Sequence, residues 1–380
     1  MSSLQRLRAG LARWRSAGPA SPKGPAAIGL DLGAERLNLV QFGKDSSGPV
    51  LRAAASLPLP QAREALLSDP TALKALLRTA QAGRAFSGRR VVACLPAAEL
   101  RVFPVSYTAV PGRDDDSVLA TDLRARLGAE LDHSVLDYLP IRTDNAEPNQ
   151  RDALVALASR ERVLAYVTAL ERAGLEVSAI DIGPAALARL IVGVNSADVR
   201  AAHPDALLIN FGSSASHVSV VSGRRLLLDR PIEFAEQSLL ARLTRALGVD
   251  EGMARRLLLD KGLHADPAQG GDDAEIARTL VEVLRPEFAA LVAEVHKTLI
   301  YTASRNRGRG VDQIYLLGSV GRYPGADRLM QGLLSIPVEV LNPFRVFRSP
   351  LPAAELARLE PMAGIALACG LALRGWGGDA

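Results

Sequence analysis

The sequence predicts two α/β units facing a cleft, with a small α+β insert in the first. Three observations predict this. A strand, a glycine-containing turn and a second strand occur twice, at 28–42 and at 206–221, the mark of an internal duplication. Short apolar strands alternate with helix-length segments of 3.6-residue periodicity in both halves. Between them, residues 97–180 change texture, with several strands gathered around one polar helix. The chain has 380 residues, 48% hydrophobic and 23% charged, enough to bury more than one core without covalent staples. Its two cysteines, Cys94 and Cys369, each lie in an apolar run. They exclude a disulfide scaffold and a four-cysteine zinc site, and read as buried free thiols.

The elements follow in order. Residues 4–15 place Leu4, Leu7, Leu11 and Trp14 on one helical face among four arginines. This is either a basic amphipathic helix able to lie on an anionic membrane surface or a tail without that role. The Pro/Gly/Ser-rich stretch 16–25 is a linker, so residues 1–25 form an arm. Strands are expected at Ala27–Leu32, Leu37–Phe42 and Val50–Leu57, a helix over Pro70–Ala82, and a buried strand at Val91–Leu95 ended by Pro96. The first unit thus spans 26–96. The insert, 97–180, holds strands Arg101–Tyr107, Val135–Arg142, Ala153–Ala158 and Val177–Ile182. It also holds helices Asp114–Gly128 and Glu161–Ala173. Residues 181–205 return to the first unit through a helix, Ala185–Val194. The second unit, 206–358, opens with Ala206–Phe211, the small-residue turn Gly212–Ser216 and His217–Ser222, then a hairpin partner Arg225–Arg230. Helices follow at Glu236–Leu247, Asp250–Lys261 and Asp273–Asn306. Then come a strand Gln313–Leu317, a glycine turn, a helix Gly325–Leu333 and a strand Val338–Leu341. A C-terminal helix and tail fill 359–380.

Charge narrows the function. The net charge is +4, but residues 1–25 hold five bases and no acid, leaving 40 bases against 41 acids. A neutral body with 4% aromatic residues lacks the basic face and stacking platforms of a nucleic-acid binder. No apolar run reaches the roughly 18 residues of a membrane span, and arginines interrupt any apolar leader, so a cytoplasmic protein is expected. The five histidines share no metal-ligand spacing, and Asp114-Asp-Asp116 reads as a helix cap. No metal site and no catalytic triad is expected.

The two hairpins, Ile28-Gly-Leu-Asp-Leu-Gly33 and Leu207-Leu-Ile-Asn-Phe-Gly212, resemble the paired phosphate-binding hairpins of the actin, sugar-kinase and chaperone superfamily. A third segment, Ile314-Tyr-Leu-Leu-Gly-Ser-Val-Gly321, looks like that superfamily's adenosine motif. The resemblance implies an actin-like, ribonuclease H-like fold. Asp31, Gly33, Ala34, Asn210, Gly212 and Ser213 would then stand around nucleotide phosphates, and Gly318, Ser319 and Gly321 beside adenosine. ATP or ADP with Mg²⁺ is the implied cofactor. Within the superfamily, residues 26–375 are most similar to the PilM family of type IV pilus assembly. Val91–Pro96, Leu136-Asp-Tyr138, Glu171–Asp181, Glu294–Tyr301, Pro337–Phe344 and Ala363–Gly370 carry the likeness. It implies a cytoplasmic scaffold, peripheral at the inner membrane, that docks the short cytoplasmic segment of a bitopic PilN-like protein on the first unit and insert. Arg101, Val102, Phe103 and Val105 are the candidate groove wall, although these apolar side chains could equally be core. Alternatives are an active ATPase of the superfamily and an FtsA-like division protein. The latter's C-terminal membrane helix has no counterpart in Gly375-Trp-Gly-Gly-Asp-Ala380. Homo-oligomerisation stays open.

Departures from the superfamily pattern bear on chemistry. Asn210 replaces an expected aspartate, and a neutral amide coordinates Mg²⁺ poorly. Ala34 replaces a small hydroxyl residue, and Phe234-Ala235 replaces a glycine pair. Val320 interrupts the adenosine turn, where a β-branched side chain is strained if φ is positive. Negligible hydrolysis is expected.

Overall fold

The computed structural model describes residues 26–45, 48–141, 149–196, 205–223, 225–264, 271–305, 308–359 and 364–374. The basic segment 4–15 lies outside them. The strands run β1 (Ile28–Leu32), β2 (Arg36–Asp45), β3 (Gly48–Pro58), β4 (Arg90–Cys94), β5 (Leu100–Thr108), β6 (Ser134–Ile141) and β7 (Gln150–Ser159). They continue with β8 (Glu176–Asp181), β9 (Ala206–Phe211), β10 (Ser216–Ser222), β11 (Arg225–Ile232), β12 (Gln313–Gly318) and β13 (Val338–Val340).

The first sheet has the order β3-β2-β1-β4-β8 and the second β11-β10-β9-β12-β13. In each, a three-stranded antiparallel meander is followed by two parallel strands. The sheets therefore match strand for strand, which is the duplication expected from the paired hairpins. Alternation along a strand separates their faces. Ile28, Leu30 and Leu32 join an outer core with Leu73, Leu77, Tyr166 and Leu170 of the covering helices Pro70–Gln81 and Arg160–Arg172. Leu207, Ile209 and Phe211 do the same with helices Glu236–Leu247 and Asp272–Arg305. Between the sheets lies a shared core. Val40, Phe42, Ala206, Leu208 and Leu317 meet Leu190 and Ile191 of the helix Gly183–Ser196 there, together with Ala368, Cys369 and Ala372 of the helix Ile365–Ala372.

Sequence signals set the local stops. Asp69 accepts from Thr71 N and Ala72 N, and Asp114 from Ser117 N, capping their helices. Asp114 is thus the helix cap the sequence predicts. Gly248 ends Glu236–Leu247 at φ +68°. The long helix Asp272–Arg305 continues through Pro286.

The third sheet, β5-β7-β6, is antiparallel and built from 100–159. One face packs on the helix Asp115–Leu127 through Val105, Tyr107, Val155 and Leu157. Here the expected insert, 97–180, is corrected. Strand β8 pairs in parallel with β4 in the first sheet, and the helix Arg160–Arg172 covers that sheet's outer face. Strand periodicity shows that a segment is a strand but not which sheet it joins, because pairing is non-local. The C-terminal helix, Ile365–Ala372, packs on β1, β2, β4 and the helix Gly183–Ser196. A side chain on Gly29 would overlap the Ala368 carbonyl oxygen, and one on Gly370 the Ala186 carbonyl oxygen. Glycine lets these backbones approach.

Candidate functional site

The two hairpin turns follow β1 and β9, the first strands of their sheets. Asp31 and Asn210 occupy matching inner-face positions, paired in register with Asn38 and His217. Asp31 is partly buried. Its carboxylate accepts from Asn38 Nδ2 at 2.9 Å; Asn38 in turn accepts from Ser56 Oγ at 2.7 Å, and Ser56 from Arg36 Nε at 2.9 Å. Burial raises the Asp31 carboxyl to about 6, against the pull of Asn38 and of Arg63. Arg63 is itself buried, donating to Leu32 O at 3.0 Å and to Glu99 at 2.7 Å.

A raised acid makes a testable statement. The folded chain holds its proton where the unfolded chain has lost it, so stability falls as pH rises from the ordinary carboxylate range towards 6. Asp31→Asn is expected to raise stability by about 2 kcal/mol above pH 6, the gain vanishing below about pH 4. Denaturant unfolding of both proteins from pH 4 to 8 measures it. A gain that does not change with pH contradicts the assignment.

The first turn is closed by Gly33 N donating to Arg36 O at 3.0 Å. In the second, Gly212 N donates to Ser216 Oγ at 3.3 Å. The first N–H groups of the helix Glu236–Leu247 are also engaged: Glu236 N meets Gly212 O at 3.1 Å and Gln237 N meets Ser213 O at 3.0 Å. These turn amides are therefore satisfied within the chain. Gly318 takes the positive φ of the third motif, +80°, and Ser319 N donates to Phe211 O at 2.8 Å. Val320 does not bear the strain expected of it. It lies in a 3₁₀ turn with its side chain fully buried in the second sheet's outer core. Phe234, in place of a glycine, packs between Phe211 and Phe288 with ring centroids 5.4 and 5.7 Å away.

The structure brings together charged residues that the sequence reading left out. Glu236 is buried at 0% exposure and accepts from Arg322 at 2.5 Å, from Arg255 at 3.1 Å and from the Tyr323 hydroxyl. Arg255 also reaches Glu251 at 3.1 Å and, across the cleft, Glu35 at 3.3 Å. Glu35 accepts from Ser213 Oγ at 3.2 Å as well. The first and second hairpin turns thus touch. The only local signal was the helical i,i+4 pair Glu251–Arg255.

Ser213, Arg255 and Arg322 supply donors suited to phosphate. Mg²⁺ fits less well, since the acid Asp31 of the first hairpin is matched in the second by a neutral amide, Asn210. His217, Asp229 and Ser219 form a small cluster, but the Ser219 hydroxyl donates to Asp229 at 2.6 Å rather than to the imidazole, so no nucleophile is activated. Of the expected groove residues, Val105 is a core side chain at 2% exposure, a correction that follows from its facing the helix Asp115–Leu127. Val102 and Phe103 are half-buried. Arg101 is exposed, paired with Glu130 at 2.5 Å, its guanidinium 5.5 Å from the Phe103 ring centroid.

Two matched sheets around a shared helical core, with paired glycine turns after their first strands, define an actin-like protein. Solved structures agree on the fold. One described as a PilM–PilN type IV pilus biogenesis complex superposes with a TM-score of 0.70 at 22% identity, over 93% of this chain and 99% of that one. The ethanolamine utilization protein EutJ from Carboxydothermus hydrogenoformans gives 0.51 at 13% identity, over 99% and 100%. Residues 29–376 match the family of the type IV pilus assembly protein PilM, and the chain belongs to that family.

Proposed function

We propose that this chain is an actin-like scaffold of pilus assembly that holds the cytoplasmic segment of a PilN-like inner-membrane protein against β5. Family membership supports the pilus role, and the solved complex similar to this chain is described as PilM–PilN. The observation that carries the docking site is the edge position of β5. Among the described residues it pairs with β7 alone. Both outer strands of the third sheet carry a proline, Pro104 and Pro140, which suits edges, where a missing N–H breaks no ladder. An added strand gains backbone hydrogen bonds along such an edge, with side-chain pockets setting the choice of partner. Val102 and Phe103, half-buried beside the exposed Arg101, are the side chains nearest that role.

Among the described residues no helix is long and apolar enough to cross a membrane. In this reading the partner recruits the chain to the cytoplasmic face of the inner membrane, and residues 4–15 add a weak, salt-sensitive attachment. The cleft between the hairpins is an adenine-nucleotide site with negligible hydrolysis, because Asn210 removes a carboxylate that metal-assisted hydrolysis would use. Titration of the full chain with a synthetic peptide of the partner's cytoplasmic segment tests the scaffold reading. Micromolar affinity, roughly −8 kcal/mol, is expected. Absence of binding at a hundredfold higher concentration contradicts it.

A further inference from the structure

Glu35 is the residue of the first turn that the nucleotide reading does not use. Its two carboxylate oxygens are held from the opposite unit, by Ser213 Oγ at 3.2 Å and by Arg255 Nη1 and Nη2 at 3.3 and 3.4 Å. A hydroxyl and the fork of a guanidinium are the donors that also receive a phosphate group. Arg36, next in sequence, is engaged within the first unit, its Nε 2.9 Å from Ser56 Oγ and its Nη2 3.0 Å from Ser56 O. The second unit therefore brings one guanidinium and one hydroxyl to the first turn, and Glu35 is the anion that meets both.

We propose that Glu35 is an internal stand-in for phosphate, which latches the two hairpin turns together and is displaced when an oligophosphate binds. The proposal rests on reading the cleft as a nucleotide site. The two carboxylates that touch Arg255 differ in a way that suits this role. Glu236 is sealed in the second unit with three partners and cannot leave without stranding two cations. The Glu35 side chain is 43% exposed, so its ion pair is solvent-screened and exchangeable. A polyphosphate brings more charge to the same donors and outcompetes one carboxylate. Displacement frees the first turn from the second, so occupancy of the cleft and separation of the two units are coupled through one side chain.

Spin labels at Lys74→Cys and Asp260→Cys, both exposed helical positions on opposite units, report the separation in the full-length protein by electron–electron dipolar spectroscopy. Buried Cys94 and Cys369 stay unlabelled. In the ligand-free protein, Glu35→Gln is expected to lengthen and broaden the distance distribution, and saturating pyrophosphate to move the Glu35 protein towards it. A fluorescent ADP analogue is expected to bind Glu35→Gln about tenfold more tightly, about 1.4 kcal/mol. Equal affinity for both proteins with unchanged distances overturns the latch and leaves the nucleotide site standing. Failure of both proteins to bind either probe overturns the nucleotide reading and the stand-in together. An unchanged melting temperature for Glu35→Gln shows that the fold is intact.

Discussion

Replacing Gly29 by valine is expected to lower the unfolding free energy by about 3 kcal/mol or more. The reason is geometric. A Cβ on Gly29 would overlap the Ala368 carbonyl oxygen and lie 2.6 Å from Ala372 N, both backbone atoms of a helix that cannot give like a flexible side chain. That helix is wedged between β1 and the helix Gly183–Ser196, so moving it disturbs the core shared by both sheets. Gly183→Ala serves as a control. Its nearest neighbour is Leu367 Cδ1 at 3.8 Å, ordinary contact, and alanine in a helix is expected to be neutral or to add up to about 1 kcal/mol. Equilibrium denaturation compares the two. A Gly29→Val protein as stable as the parent contradicts the close packing.

Glu236→Gln is the second large effect, expected to cost about 3–5 kcal/mol. The carboxylate is fully buried, and it neutralises Arg255 and Arg322 while accepting from the Tyr323 hydroxyl. Glutamine keeps the shape but not the charge, leaving two guanidiniums facing each other with less compensation. The pairing also holds Tyr323, a fully buried side chain of the second unit's outer core, to the helix Glu236–Leu247. Thermal and denaturant unfolding measure the loss. A second substitution, Arg322→Met, is expected to recover part of it, because fewer cations are then stranded. A change below about 1 kcal/mol in the single variant contradicts the network's structural role.

These two sites show which parts of the molecule the sequence discloses. The paired hairpins, the glycine turn at 318 and the long helix near 272–305 were legible because each is a local pattern of apolar period and turn residues. The fold class followed from their order. The packing of Ile365–Ala372 on β1 was not legible, since a glycine at 29 and a small-residue helix more than 330 positions later have no shared local signal. Glu35 and Arg255 are 220 residues apart, and each alone reads as an ordinary surface charge. The place of Val320 is illegible for a different reason. The motif shows that one residue in the turn needs a positive φ, but only the backbone shows that Gly318 takes it and that Val320 turns into the core. At the third sheet the sequence marked the strand Arg101–Tyr107 as a surface of interest but could not separate core from edge. Val105 went one way, and the backbone edge of β5 remains.

The edge of β5 is proposed to receive an extended peptide from a membrane partner. Backbone hydrogen exchange of the full-length protein, with and without the partner's cytoplasmic peptide, addresses it most directly, because strand addition acts on amides and not on any single side chain. Protection is expected to rise within Leu100–Thr108, with β6 and the hairpin turns at 33–35 and 212–215 unchanged. Binding that protects another surface, or none of Leu100–Thr108, would contradict the account.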